Sequence, residues 1–268
     1  MHGLGNDFVI VDARERSFVP SAAAARRIAD RHRGVGFDQL IVIEPPRNGA
    51  TAALRFWNAD GSESGACGNG SRCAAWLLGE ELGRQEIRLE TRGGPLDCRL
   101  LGGRRVALDF GPPRTAWQEV PLARAVDSLH VPLERGTLRD AACLSVGNPH
   151  ASFFVPDAEA VDLERLGPAL ETDAWFPERA NIGVASRRPD GALRVRVWER
   201  GVGITQACGT GATAAAVNAM RRGLVERRVV THLDGGALEI EWRADHHAVM
   251  TGEVALAFAG ELAPDLLG

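Results

Sequence analysis

The sequence predicts a mixed α/β (α+β) fold built as two similar lobes. Three observations predict it. First, the chain repeats itself once. Leu54 to Ala75, "LRFWNADGSESGACGNGSRCAA", aligns without a gap on Val195 to Ala216, "VRVWERGVGITQACGTGATAAA", at an offset of 141 (208 − 67). Second, short alternating apolar–polar runs are broken by Gly-Gly pairs, the pattern of hairpins. Third, each cysteine loop of the repeat opens an alanine-rich run, and alanine is the best helix former.

The elements follow in order. The first lobe opens on a strand, "DFVIVDA" from Asp7, and a helix, "SAAAARRIADRH" from Ser21. Ser21 suits the N-cap because its hydroxyl can accept a bond from an unpaired first-turn N–H. A strand then leads to the Cys67 loop and its helix, with Gly83 as the C′ stop. The strands of "EIRLETRGGPLDCRLLGGRRVALDFG" close the lobe. The second lobe repeats this order with "ASFFVPDA", "DLERLGPAL", a strand, the Cys208 loop and helix stopped by Gly223, and "VVTHLDGGALEIEWRADHHAVMTG". Other anchors keep nearly the same offset: "GND" at Gly5 pairs with "GNP" at Gly147, "TRGGPL" at Thr91 with "LDGGAL" at Leu233, and Gln39 falls opposite Asn181. The segment Pro112 to Ala142, rich in Pro and Arg, reads as the link. The expected boundaries are 1–112 for the N-terminal lobe, with the tail 256–268 returning to it, and 113–255 for the C-terminal lobe.

Composition excludes several classes. The chain has 268 residues, 45% hydrophobic and 25% charged, long enough for two lobes with cores of their own. A formal net charge of −4 with no basic run leaves no electrostatic footprint for nucleic acid. No apolar run nears the roughly 18 residues of a membrane helix. The start lacks the charged region and cleavage site of a signal peptide. A cytoplasmic protein with a small-molecule substrate is expected. All 31 basic residues are arginine. Without lysine the chain can neither hold pyridoxal phosphate as a Schiff base nor build a P-loop, and no cofactor is expected. Tyrosine is absent too, which removes it as a catalytic acid. The five cysteines are Cys67, Cys73, Cys98, Cys143 and Cys208, an odd count with no C-x-x-C, which argues against disulfides and zinc. The seven histidines show no metal spacing, and His246-His247 reads as a hairpin turn.

The repeated cysteines carry the chemistry. A helix N-terminus offers unpaired N–H groups and partial positive charge, and glycines let an anion approach. The same field favours thiolate, so Cys67 and Cys208 are expected to have pKa values below the ordinary cysteine value of about 8.5. Two such ends brought together would hold a carboxylate with one sulfur on each side of the adjacent carbon. Inverting that carbon needs a thiolate base on one face and a thiol acid on the other. The helix-end N–H groups would stabilise charge developing on the carboxylate. A free cysteine is often a small buried hydrophobe, and Cys73, Cys98 and Cys143 are read so. Cys73 lies within its helix and its repeat partner is Ala214. Taken singly, Cys67 or Cys208 could be structural as well; their matched positions favour chemistry.

At these residues the sequence resembles the diaminopimelate epimerase family. "MHGLGNDF", "GVGFDQL", "NADGSESGACGNGSRC", "GNPH", "FPERAN", "WERGVGITQACGTGA" and "MTG" stand in the family's order and spacing over essentially the whole chain. The resemblance implies two pseudo-symmetric lobes with the active site in the cleft between them, and usually a homodimer. It implies pyridoxal-independent interconversion of LL- and meso-diaminopimelate, in lysine and cell-wall precursor synthesis. By motif, Cys67 and Cys208 resemble the acid/base thiols. Gly68, Asn69, Gly209 and Thr210 resemble the helix-end groups around the reacting carboxylate. Asn6, Gln39, Asn58, Asn148, Asn181 and Arg200 resemble substrate-binding residues, and Glu199 and His150 groups near the reacting ammonium. The residues alone leave other roles open: the asparagines as turn formers, His150 as a loop histidine, Glu199 and Arg200 as a surface ion pair.

Two departures stand out. The family commonly has "GET" before the second cysteine loop, and here Ile204 replaces that glutamate, while Glu63 fills the matching place in the first half. The chain also starts at the family's "MHGLGNDF", so a shortened start or an incomplete opening strand is expected. Three rival readings are a proline or hydroxyproline racemase, a redox protein with a Cys67–Cys208 disulfide, and a non-catalytic amino-acid-binding protein. Ile204 is the only feature that favours the last.

Overall fold

The computed structural model describes residues 1–267. The chain divides into two compact units, residues 1–108 with the chain from 252 onward, and residues 109–251.

The first unit contains β1 (His2–Gly3), β2 (Asn6–Asp12), α1 (Ala22–Ala29), β3 (Gln39–Glu44), β4 (Ala52–Asn58), β5 (Glu63–Ser64), α2 (Gly68–Leu82), β6 (Glu86–Thr91), β7 (Gly94–Leu100) and β8 (Arg105–Asp109). Its strands run in the order β1-β2-β3-β4-β6-β7-β8, and β5 pairs with β4. The pairs β2–β3 and β4–β6 are parallel, each joined through a helix, because a parallel pair needs a long crossover. β3 is buried along almost its whole length, as its unbroken apolar run requires. β6 alternates buried and open positions, so it covers the core with one face. α1 buries Ala24, Ala25, Ile28 and Ala29, an amphipathic stripe. α2 is buried on every side from Gly68 to Ala75, a stretch of small residues apart from Asn69 and Arg72.

The second unit repeats the plan. Its elements are β9 (Ala142–Ser145), β10 (Pro149–Phe154), α3 (Leu163–Glu171), β11 (Asn181–Arg187), β12 (Leu193–Glu199), β13 (Gly203–Ile204), α4 (Gly209–Arg221), β14 (Arg228–Leu233), β15 (Gly236–Trp242) and β16 (Ala248–Glu253). The order is β9-β10-β11-β12-β14-β15-β16, with β13 on β12. Strand register repeats along with sequence. Phe8 opposite Gln39 recurs as His150 opposite Asn181, and Trp57 opposite Glu63 recurs as Trp198 opposite Ile204. Thr91 opposite Gly94 recurs as Leu233 opposite Gly236.

The termini of the helices follow their sequences. Ser21 Oγ accepts from Ala24 N at 3.1 Å. Gly83 closes α2 in the left-handed region at φ 63°. Gly223 N donates to Met220 O at 3.0 Å and Leu224 N to Ala219 O at 2.9 Å, a Schellman closure of α4. α1 ends at Ala29, short of the run read from sequence, because the Asp30 carboxylate captures His32 N and Arg33 N instead. His246, at φ 69°, turns the chain between β15 and β16.

The segment read as a link is a correction. Val120, Leu122, Val131, Leu133 and Leu138 are buried beside Phe153, Leu163, Leu166 and Phe176 in the second unit's core. Arg222 Nη2 ties the segment to α4 through Leu129 O at 2.6 Å and Asp140 O at 2.8 Å. Proline and arginine break the apolar spacing, so no period betrays the burial. The last described helix, α5 (Pro264–Leu267), lies in the first unit, where Leu262 and Leu266 pack against the α1 core.

Candidate active site

In the first unit, Asn6 opens β2, Gln39 opens β3 and Asn58 ends β4. Gln39 lies opposite both Phe8 and Asn58, so these positions share one end of the sheet. Gln39 Nε2 donates to Asn58 Oδ1 at 2.9 Å, and Asn58 Nδ2 to Ser62 Oγ at 3.0 Å. Asn6 Nδ2 donates to Asp38 Oδ2 at 2.7 Å, and its Oδ1 accepts from Asn69 Nδ2 at 3.5 Å. Gln39 Oε1 is buried with no hydrogen-bond partner. The amides therefore form short chains whose outer ends can face a polar ligand.

The entrance to α2 lies in the same unit. Cys67 is the N-cap in extended backbone, φ −146° and ψ 111°, and its sulfur accepts from Gly70 N at 3.3 Å. A cysteine thus takes the place usually held by serine or threonine. The amides of Gly68 and Asn69 precede the point where a helix supplies its own acceptors, which makes this end an anion seat. A Cβ at Gly70 would stand 2.5 Å from Ile41 Cδ1 and 3.4 Å from Cys67 Sγ, so a side chain there would have to displace the tip of Ile41. Arg72, one helical turn further on, is fully buried, and its charge attracts the sulfurs of Cys73, Cys67 and Cys98.

The second unit builds an equivalent end with different chemistry. Cys208 caps α4 at φ −112° and ψ 105°, and its sulfur accepts from Gly211 N at 3.3 Å. Thr210 Oγ1 lies 3.5 Å from the same sulfur. Glu199, at the end of β12, is hydrogen-bonded to Cys208 and to Thr205 Oγ1. Asn181 Oδ1 accepts from Arg200 N at 3.0 Å, and Asn181 Nδ2 donates to Pro149 O at 3.0 Å. His150 Nε2 faces Asn148 Oδ1 at 2.9 Å. Burial, with Arg200 nearby, pushes the His150 pKa down to about 3, so the ring is neutral at physiological pH.

Cys208 corrects the expected thiol electrostatics. Its pKa is raised well above the ordinary value, first by burial and then by the Glu199 carboxylate. Thr210 and the Gly211 N–H pull the other way and do not prevail. Only 5% of Cys208 is exposed, and a thiolate there gives up nearly all of its hydration. Burial likewise pushes the structural thiols Cys73 and Cys143 up to about 12.

Each unit thus gathers its own sequence-predicted residues: Asn6, Gln39, Asn58, Cys67, Gly68 and Asn69 in one, the remainder in the other. Sequence reasoning missed Asp38, which fixes the Asn6 amide, and Thr205, which holds Glu199. Thr205 had a signal, since its repeat partner at offset 141 (205 − 64) is another hydroxyl, Ser64. Arg72 had none, because its repeat partner is Thr213.

Fold and site together define a class: duplicated α/β proteins in which a cysteine caps the buried helix of each copy. A hydroxyproline epimerase from Agrobacterium vitis shares the fold at TM-score 0.65 and 16% identity, over 94% of this chain and 87% of that one. A PhzF-family phenazine biosynthesis protein from Bacillus anthracis does so at TM-score 0.62 and 17% identity, over 94% and 92%. The diaminopimelate epimerase family model matches residues 1–116 and 142–257. A diaminopimelate epimerase from Rhodospirillum centenum is 55% identical, over 100% of this chain and 92% of the relative. One from Acidiphilium cryptum is 52% identical, over 98% and 94%. The chain belongs to the diaminopimelate epimerase family.

Proposed function

We propose that the chain is a cofactor-independent isomerase that interconverts LL- and meso-diaminopimelate, a step of lysine and peptidoglycan precursor synthesis. The observation that carries this reading is the pair of cysteines, each capping a buried, glycine-opened helix end. The two-base route requires one sulfur at each face of the α-carbon. A Cys67 thiolate takes the α-proton from one face. The electron pair moves toward the carboxylate, where N–H groups of Gly68, Asn69, Gly209 and Thr210 stabilise it. The Cys208 thiol, kept protonated by burial and Glu199, delivers its proton to the other face. In the reverse direction the two exchange roles.

The remaining groups match the substrate's other ends. The neutral His150 ring and the Glu199 carboxylate serve the reacting ammonium. Asn6, Gln39, Asn58, Asn148 and Asn181 supply amide donors and acceptors. Arg200 grips the distal carboxylate: its Nη1 is steadied by Glu178 O at 2.8 Å, and a guanidinium has donors left for a forked contact. The family resemblance also carries a cytoplasmic homodimer, which sedimentation at micromolar concentration tests. Among the described residues no helix is long and apolar enough to cross a membrane.

Incubation with LL-diaminopimelate in deuterium oxide should give meso product carrying α-deuterium. Cys67→Ala and Cys208→Ala should each lower turnover by at least about a thousandfold, within the contribution of positioned acid–base groups, while leaving thermal unfolding near wild type. Cys73→Ala, which installs the residue of its repeat partner, should keep most activity. Near wild-type turnover in either active-site variant would eliminate the two-base route.

A further inference from the structure

We propose that Glu171 is a positioning residue for Arg200, fastening together the two chain segments that hold the guanidinium. The inference rests on the reading of Arg200 as the group that grips the distal carboxylate. Glu171 is the last residue of α3 and is 3% exposed. A carboxylate at a helix C-terminus meets the negative end of the helix dipole, and burial strips its hydration. Nothing in the folding of α3 asks for a charge there, so the compensation must come from what the carboxylate binds.

Its partners lie on two separate segments. Oε2 accepts from Trp198 Nε1 at 2.7 Å, and Oε1 accepts from Gly201 N at 2.9 Å. Oε1 also takes Arg179 Nη2 in an ion pair. Trp198 and Gly201 flank the Glu199-Arg200 pair. Arg179 follows Glu178, whose carbonyl receives Arg200 Nη1 at 2.8 Å. One carboxylate thus grips both the strand end that carries Arg200 and the loop that steadies its side chain. Both segments need fastening: Gly201 sits at φ 77° and Arg179 at φ 61°, left-handed turns that do not continue a strand. α3 itself is pressed onto the same place, since a Cβ at Gly167 would stand 2.4 Å from the Trp198 ring.

Glu171→Gln keeps the shape, removes the charge and replaces one acceptor with a donor. Steady-state kinetics with LL-diaminopimelate should show KM raised about tenfold with kcat within about threefold, because the thiols are untouched. Glu171→Asp, which keeps the charge, should recover part of the loss. In an Arg200→Gln background the Glu171→Gln change should add no further rise in KM. An unchanged KM in Glu171→Gln, or KM factors that multiply in the double variant, would overturn the inference and leave Glu171 a purely structural residue. Arg200→Gln alone decides the parent reading separately: if its KM is that of wild type, Arg200 does not hold the distal carboxylate. Should Glu171→Gln fail to accumulate folded, Glu171→Asp alone and combined with Arg200→Gln makes the same comparison.

Discussion

Cys67 and Cys208 occupy the same backbone position in their units and meet opposite charges. Cys67 is attracted by the buried Arg72. Cys208 is bonded to Glu199, which opposes its ionisation. Removing that carboxylate removes one of the two forces holding the thiol protonated. In a Cys67→Ala background, Glu199→Gln should lower the Cys208 pKa, so thiolate absorbance near 240 nm should develop at lower pH. A titration that stays in place would show that burial alone sets the thiol. The position of both cysteines was legible, because a repeated Cys-Gly-x-Gly before alanines marks a helix entrance. The sign of the Cys208 shift was not. A helix end acts over one turn, whereas burial depends on the packing of residues distant in sequence.

The short strands β5 and β13 show how one element is kept by two kinds of force. In β5, Glu63 accepts from Arg55 Nε at 2.8 Å and pairs with Arg92 Nη1 at 2.9 Å. In β13, Ile204 packs against the core of its unit. Arg196, the repeat partner of Arg55, turns instead to Ala158 O at 3.2 Å and Val161 O at 2.8 Å. Where β5 carries a carboxylate bonded to Arg55, β13 carries an apolar side chain, and Arg196 bonds to backbone carbonyls instead. Ile204→Glu should cost on the order of 1–2 kcal/mol, from lost apolar contact and a half-buried charge. It should lower Tm by several degrees and leave the Cys208 titration nearly in place. A variant as stable as wild type, with a displaced titration, would mean that the position acts through charge. Two-residue strands leave no period to read, so β5 and β13 were invisible in sequence. The longer β4 and β12 were visible because Trp and the β-branched and aromatic residues around it recur at one offset.

Across the molecule, the repeat made the two-unit plan legible, and the register of paired strands reproduces it residue for residue. The return of the tail to the first unit was expected; less legible were the contacts that hold it there. The first unit takes back the end of the chain: His2 and Ala255 exchange N–H···O bonds at 2.9 Å, and Val254 N donates to Arg104 O at 2.9 Å. Arg27 Nε donates to Leu266 O at 3.3 Å. No local pattern announces these particular pairings, since they join residues from 150 (254 − 104) to 253 (255 − 2) apart by loop closure. Ending the chain at Ala255 would strip Leu262 and Leu266 from the α1 core, a loss of about 2 kcal/mol. Hydrogen exchange should then speed up in residues 22–29 and stay unchanged in 209–221. Uniform protection in both helices would show that the tail contributes no stability.

The repeat offset is 142 in β10 and β11, 141 from β12 through α4, and 142 again from β14. Both length changes fall in connections, where insertion is tolerated, and the helices and strands correspond as matched copies. A protein assembled from two identical halves would have to carry the same side chain at both copies of every position. Whatever favoured ionisation of one sulfur would favour it in the other. A single chain holding both copies is free of that restriction. Asn58 and Glu199, Arg72 and Thr213, Glu63 and Ile204 are positions at which the two copies differ. A reaction that needs a base and an acid at the same instant is served by two copies free to be unlike.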